Sequence, residues 1–437
     1  MSNTVRNSVW DRHGVIGAIV GQCKVPRMAR AKQTFEDNRL KDIPGTIAKE
    51  FQKPEIASRI KPGMRIAITS GSRGIAHIAE ITKEIVKQIQ KLGGKPFIFP
   101  AMGSHGGATA EGQREVLESY GITEKTMGVP IVSSMETVVI GHTPEGKPVY
   151  IDKNAHEADG VVVVGRIKPH TAFRGTWESG LLKMMVIGMG KQKGAESCHD
   201  EGFGRMAHNV EVYADVIMAK TNILFGVGIV ENAFDDTYLI EAILPSQFKK
   251  REAELLELAK NLMPKILIPK FDILIVDRIG KNFSGDGADP NITGTYATPY
   301  ASGGPEFQRY VILDLSEETH GNAIGVGMAD FTTKRVFDKT DFDATYPNAL
   351  TATVVMGVKM PMVLKSDREA IQAAIFCCTG IDKLKPKIVR IKNTSHIDEI
   401  MVSEALIEEV KRHPQMKLLE EPRELPFDRE GNLSFDW

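Results

Sequence analysis

Between residues 64 and 100 the apolar positions change period twice. Ile66 and Ile68 sit in a short apolar run that reads as a strand, and Ile78, Ile81, Ile85, Ile89 and Leu92 then recur at helical spacing until Gly93-Gly94 stops them. Residues 96–100 form the next apolar run. A strand, an amphipathic helix and a second strand within about 35 residues make a βαβ unit, which requires a parallel sheet with a right-handed crossover. The alternation continues through the polar turn Gly103-Ser-His-Gly-Gly107, a helix over 110–120 ended by Gly121, and the valine-rich strand 160–165.

The predicted class is therefore α/β: two α/β domains with mainly parallel sheets and an interdomain active-site cleft. At 437 residues the chain exceeds what one core usually serves. A charged helix over 247–260 is followed by Pro264, Pro269 and a new buried strand over 271–277, so the boundary is expected between 1–265 and 266–437. The second part is expected to hold strands at 310–315 and 351–358, a helix at 367–377, a flexible polar loop at 281–294 facing the cleft, and a peripheral tail from His413 onward. Ligands of open α/β sheets sit beyond the carboxyl ends of strands. Residues 70–73, 103–105 and 166–170 are thus expected to share one cleft.

Composition narrows the partners. Lys plus Arg (55) nearly balances Asp plus Glu (56), with no basic stripe, which argues against nucleic acid. The start of the chain, including Trp10, Asp11, Arg12 and His13, lacks the basic and apolar segments of a signal peptide, so a cytoplasmic protein is expected. The apolar stretch 349–364 is interrupted by Gly357, Lys359 and Pro361, and no membrane span is expected. Cys23, Cys198, Cys377 and Cys378 show no CxxC spacing and suit a reducing compartment.

The candidate chemistry gathers at the predicted strand ends. His105 lies in a glycine turn that lets backbone approach a ligand, and His170 follows Lys168-Pro169 after the valine strand. Two imidazoles at adjacent strand ends can act as base and acid on opposite sides of one substrate. Lys183 sits in an apolar run, Ser-Gly-Leu-Leu-Lys-Met-Met-Val-Ile-Gly, where its amine would be a better nucleophile. His199 lies 16 positions later, about 24 Å on a continuous helix. Gly188, Gly190 and Gly194 argue against such a helix, so the chain is expected to fold back there. Ser70, Ser72 and Arg73 follow a strand and precede a helix, where hydroxyls, amides and a guanidinium can receive a phosphate. Gly188-Met-Gly-Lys191 loosely suits the same role.

Together these residues resemble the nickel-dependent lactate racemase family over residues 60–300. The resemblance implies a nickel-pincer nucleotide, a pyridinium mononucleotide with nickel, attached through Lys183. It also implies nickel ligation by His199, cofactor contact by Arg73 with Ser70, Ser72, Gly188 and Gly190 nearby, and an acid/base pair of His105 and His170. Domain 1–265 would bind the cofactor and 266–437 would close on substrate. The family's lactate-specific members carry Asp where this chain has Ser70, and Gln and Lys in a loop aligned with 289–297, where this chain has neither. These departures point away from lactate, toward a larger or more hydroxylated 2-hydroxy acid met by Lys281, Asn282, Asn291 and Thr293, with Lys168, Arg174 or Trp177.

The implied reaction is inversion of the carbinol carbon of that acid, as a racemase or epimerase. Removing the carbon-bound proton leaves a carbanion beside a carboxylate, and a positioned base supplies only about 10²–10⁴-fold, roughly 3–5.5 kcal/mol. Hydride transfer to the cofactor avoids the carbanion, with one of the two histidines taking the hydroxyl proton. The expected partners are the small acid and, transiently, enzymes of cofactor synthesis; a homo-oligomer stays open. Two other readings stand beside this one: a zinc-dependent lyase or hydrolase using His105, His170 and His199, and a non-enzymatic carrier of a nucleotide-like ligand.

Overall fold

The computed structural model describes residues 14–437, so the N-terminal segment containing Trp10 to His13 lies outside the described residues. The described chain forms two compact units, one of Glu36–Met263 and the other of residues 14–35 with Pro264–Trp437. The expected first domain, 1–265, thus loses its beginning to the other unit. The reason is strand pairing: β1 (Met28–Gln33) lies antiparallel between two strands from the far end of the chain.

The strands of the 36–263 unit are β2 (Arg65–Ser70), β3 (Lys95–Pro100), β4 (Thr137–His142), β5 (Pro148–Asp152), β6 (Gly160–Arg166), β7 (Ile223–Glu231) and β8 (Thr237–Ile243). β4 and β5 form a hairpin, and the others make a sheet of order β3-β2-β6-β7-β8. Its first four strands are parallel and β8 runs antiparallel. β6 explains the layering: Val161 and Val163 face one core with Met185, Met189 and Val210, while Val162 and Val164 face another with Ile47 and Ile85. Both sheet faces are covered, which is why its strands read as continuous apolar runs. Helix Ile78–Lys91 buries Ile81, Ile85 and Ile89 completely, each worth about 1.5–3 kcal/mol of transfer free energy. Gly93, at φ 86°, lets the chain turn back into β3.

The second unit continues with β9 (Ile273–Ile279), β10 (Arg309–Leu315), β11 (Phe331–Thr333), β12 (Met362–Leu364), β13 (Ile388–Ile391), β14 (Glu399–Ser403) and β15 (Met416–Leu418). With β1 they make one sheet, β12-β11-β10-β9-β13-β14-β1-β15, parallel from β12 to β13 and antiparallel beyond. The fold class is α/β with mainly parallel sheets. Helix Asp367–Cys377 forms with Ser366 as its N-cap.

Two expectations for this unit are corrected. The strand expected over 351–358 is absent: helix Phe342–Ala352 ends at left-handed Thr353, a single turn covers Met356–Val358, and Val355 and Met356 are exposed. The tail beyond His413 is not peripheral either. β15 extends the sheet, and Trp437 donates its indole N–H to Asp277 (2.7 Å), which is itself clamped by buried Arg390 at 2.6 and 2.9 Å. Among the described residues no helix is long and apolar enough to cross a membrane.

Candidate active site

Because β2 lies between β3 and β6 and all three run parallel, their carboxyl ends deliver three neighbouring loops. The first carries Ser70, Ser72 and Arg73, the second His105, the third Lys168 and His170. The Ser72 hydroxyl is hydrogen-bonded to His105 Nδ1, joining the first loop to the second. Tyr120, unremarked in the sequence, donates its hydroxyl to the Ser72 carbonyl (2.8 Å) and fixes that loop.

His170 is held from several sides. Its backbone N–H donates to Glu178 Oε2 (2.7 Å), and Nδ1 accepts the Ala172 amide (3.0 Å). Its ring lies 4.5 Å from Phe173 and 6.0 Å from Phe203, centroid to centroid. Burial, with the charge of Lys183, the His199 ring whenever it is protonated, and the charges of Arg73 and Lys168 adding to it, keeps its pKa well below the usual imidazole range.

Between Lys183 and His199 the chain is helical and is not a glycine loop. Residues Leu181–Lys183 are helical, Met184–Met189 form a π-helix, and Lys191–His199 form a second α-helix. Lys191 at φ 55° breaks the run between them. The phosphate-loop reading of Gly188 to Lys191 is therefore corrected. A Cβ on Gly188 would lie 2.7 Å from the Ala101 carbonyl, and one on Gly190 2.4 Å from that of Val186, so both glycines serve close backbone packing. Lys191 is fully buried, with its ammonium 3.2 Å from Asp152.

Burial lowers the pKa of His199, and the charge of Lys183 adds to the effect. Its Nδ1 meets the Ala195 carbonyl at 2.7 Å. A neutral ring donating Nδ1–H to a carbonyl leaves the Nε2 lone pair free, the usual arrangement of a metal-binding imidazole. Phe203 lies 5.6 Å from this ring as well as against His170. Cys198, next in sequence, is buried with its thiol pushed up to about 12, so it is inert as a nucleophile.

Sequence reasoning also missed Glu252, on helix Phe248–Leu262. Its Oε2 accepts the amides of Leu181 (2.9 Å) and Leu182 (3.1 Å), capping the turn that presents Lys183. Burial pushes this carboxyl up to about 8. Gly180 admits it, since a Cβ there would lie 2.3 Å from Glu252 Oε1.

Several expected substrate contacts have other work in the structure. Arg174 donates to the His170 carbonyl (2.6 Å) and Glu178 (3.3 Å), and Trp177 donates to the Lys249 carbonyl (2.7 Å), so both brace the His170 loop. In the other unit, Lys281 donates to Asn348 (3.0 Å) and Asn282 accepts from Ser316 (2.7 Å). There Asn291 donates to Asp289 (2.9 Å), and buried Thr293 pairs with Thr295. Ser70 Oγ, at the position of the expected carboxylate, is buried and has no hydrogen-bond partner among the described residues. Among those residues no group of three His, Cys, Asp or Glu side chains is arranged to hold a metal ion.

The 36–263 unit thus carries Ser72, His105 and His170 on loops at adjacent strand ends, and Lys183 and His199 on the helices that follow. Residues 23–210 match the family model described as the lactate racemase N-terminal domain. The structure of the lactate racemase apoprotein from Thermoanaerobacterium thermosaccharolyticum aligns over 89% of this chain and 97% of that one, at 15% identity and a TM-score of 0.47. No curated protein matches the chain.

Proposed function

We propose that this protein is a racemase or epimerase of a 2-hydroxy acid other than lactate, working with a nickel-pincer nucleotide attached through Lys183. The observation that carries the reading is the state of His199: one half-buried imidazole with Nδ1 tied to a carbonyl and Nε2 left to bind a metal, beside a lysine amine. A single protein ligand suits a metal whose other donors belong to its own cofactor. Arg73 and Lys168 add positive charge suited to a phosphate or carboxylate, and the Ser70 hydroxyl has hydrogen-bonding capacity to spare. The residues present therefore fit the group. When bound, it would supply a hydride acceptor, so that the carbinol carbon can invert without a free carbanion.

The protein's own part is proton handling and orientation, and the two histidines are unequal in it. His105 faces a hydroxyl that either donates or accepts, so its Nε2 can hold or release a proton. His170 accepts an amide at Nδ1, so in the neutral ring Nε2 carries the proton and starts as a donor toward substrate oxygen. His105 is thus the first acceptor of the hydroxyl proton, and His170 exchanges a proton only when the Ala172 amide lets go. The half-buried setting of His170 strengthens these hydrogen bonds.

The test is to offer the cofactor-loaded protein a panel of single-enantiomer 2-hydroxy and sugar acids in D2O. Inverted product that keeps its original carbon-bound hydrogen supports the proposal. Inversion with deuterium at that carbon would replace it with simple proton abstraction.

A further inference from the structure

Three fully buried polar side chains, Asp152, Lys191 and Gln113, form a chain that the reaction itself does not use. Lys191 Nζ donates to the Pro100 carbonyl (2.5 Å) and to Gln113 Oε1 (3.1 Å), and its charge faces Asp152 Oδ2 (3.2 Å). Asp152 in turn caps the short helix after β5 through the Asn154 and Ala155 amides. Gln113 Nε2 donates to the carbonyls of Gly103 (3.0 Å) and His105 (3.1 Å). The Gln113 amide therefore has only one workable orientation, with its oxygen toward the ammonium and its N–H groups toward the turn that bears His105.

The placement of Lys191 gives this chain its meaning. Its left-handed backbone is the joint between the π-helix that follows Lys183 and the helix that ends at His199. Left-handed geometry is unfavourable for a residue with a Cβ, and here three partners around the ammonium hold it. One side chain thus ties the Lys183–His199 ribbon to the end of β3 and, through Gln113, to the loop of His105.

We propose that Lys191 and Gln113 are positioning residues that set His105 relative to the Lys183–His199 ribbon, with Asp152 as the counter-charge that allows a lysine to be buried there. The proposal rests on the reading of His105 as a proton-handling group, but its physical content is the orientation of that ring. Gln113→Glu separates the two links: a carboxylate keeps an acceptor for Lys191 and loses both N–H donors to the turn. Lys191→Met combined with Asp152→Asn removes the ammonium without leaving a lone buried charge.

The experiment is histidine-selective 13C/15N NMR of the full-length, cofactor-free protein, with the His105 signals identified by their loss in His105→Gln. In the wild type the Ser72 contact at Nδ1 should bias the His105 tautomers and give its two ring nitrogens unequal shifts. In Gln113→Glu and in the double variant that pair should collapse toward the averaged values of a freely exchanging imidazole, while the His170 and His199 signals stay in place. An unchanged His105 pair in either folded variant would overturn the proposal. So would a general shift of all three histidines, which would mean a loosened core. No substrate or cofactor enters the measurement, so its failure is distinct from a failure of the racemase reading, which would appear as absent turnover with an undisturbed His105.

Discussion

Replacing Glu252 with glutamine changes how the stability of the 36–263 unit depends on pH. The folded carboxyl titrates at about 8, against an ordinary value of 4.5, because burial penalises its charged form more than the Leu181 and Leu182 amides stabilise it. Below about pH 4.5 folded and unfolded chains both hold the proton. Between 4.5 and 8 the folded chain keeps a proton that the unfolded chain releases, so the group's contribution is lost as pH rises. At about 1.36 kcal/mol per pH unit, the loss amounts to on the order of 5 kcal/mol by pH 8. A glutamine side chain at this position can still accept both amides at its oxygen and cannot ionise, so the variant loses that slope. Urea unfolding at a series of pH values, read by pulsed hydrogen exchange in peptides from β7, follows this unit separately from the other. Glu252→Gln should gain stability relative to wild type steadily from pH 5 to pH 8. Parallel curves for the two proteins would refute the assignment of a buried, neutral Glu252.

Other substitutions test other parts of the account. Ser72→Ala removes the partner of His105 Nδ1; a lost hydrogen bond of about 1–1.5 kcal/mol should lower kcat roughly 5- to 12-fold with KM little changed, as measured by steady-state inversion of the accepted acid. In the second unit Arg390→Met leaves Asp277 buried without its guanidinium, costing about 3–5 kcal/mol in urea unfolding. Most of that loss should return in Arg390→Met with Asp277→Asn.

The legible parts of the fold were those where local pattern and topology agree. Ile81, Ile85 and Ile89 recur at helical spacing and all face the core, and the valine run of β6 is buried on both faces of a parallel sheet. The strand ends followed from that pattern, and with them the loops of Ser72, His105 and His170. What escaped depends on partners far away in sequence. β1 pairs with Glu399–Ser403 and Met416–Leu418, whose proximity no local period announces. Gly188 and Gly190 have the composition of a turn, yet their lack of side chains is used against the Ala101 and Val186 carbonyls inside a helical run. Lys191 looks like a phosphate-loop lysine until Asp152 and Gln113, from two other elements, are placed beside it. Glu252 reads as one more polar position on a charged helix, and only the packing of that helix against Gly180 makes it a cap for the Lys183 turn.

The central claim is that Lys183 carries a nickel-bearing nucleotide whose metal His199 ligates. Intact-protein mass and metal analysis, on protein produced together with the cofactor-making enzymes and compared with Lys183→Ala, test it most directly. The account predicts a nickel-containing adduct of roughly mononucleotide mass on the wild type and none on the variant. A wild-type protein with neither adduct nor nickel, alongside a relative loaded under the same conditions, would contradict it.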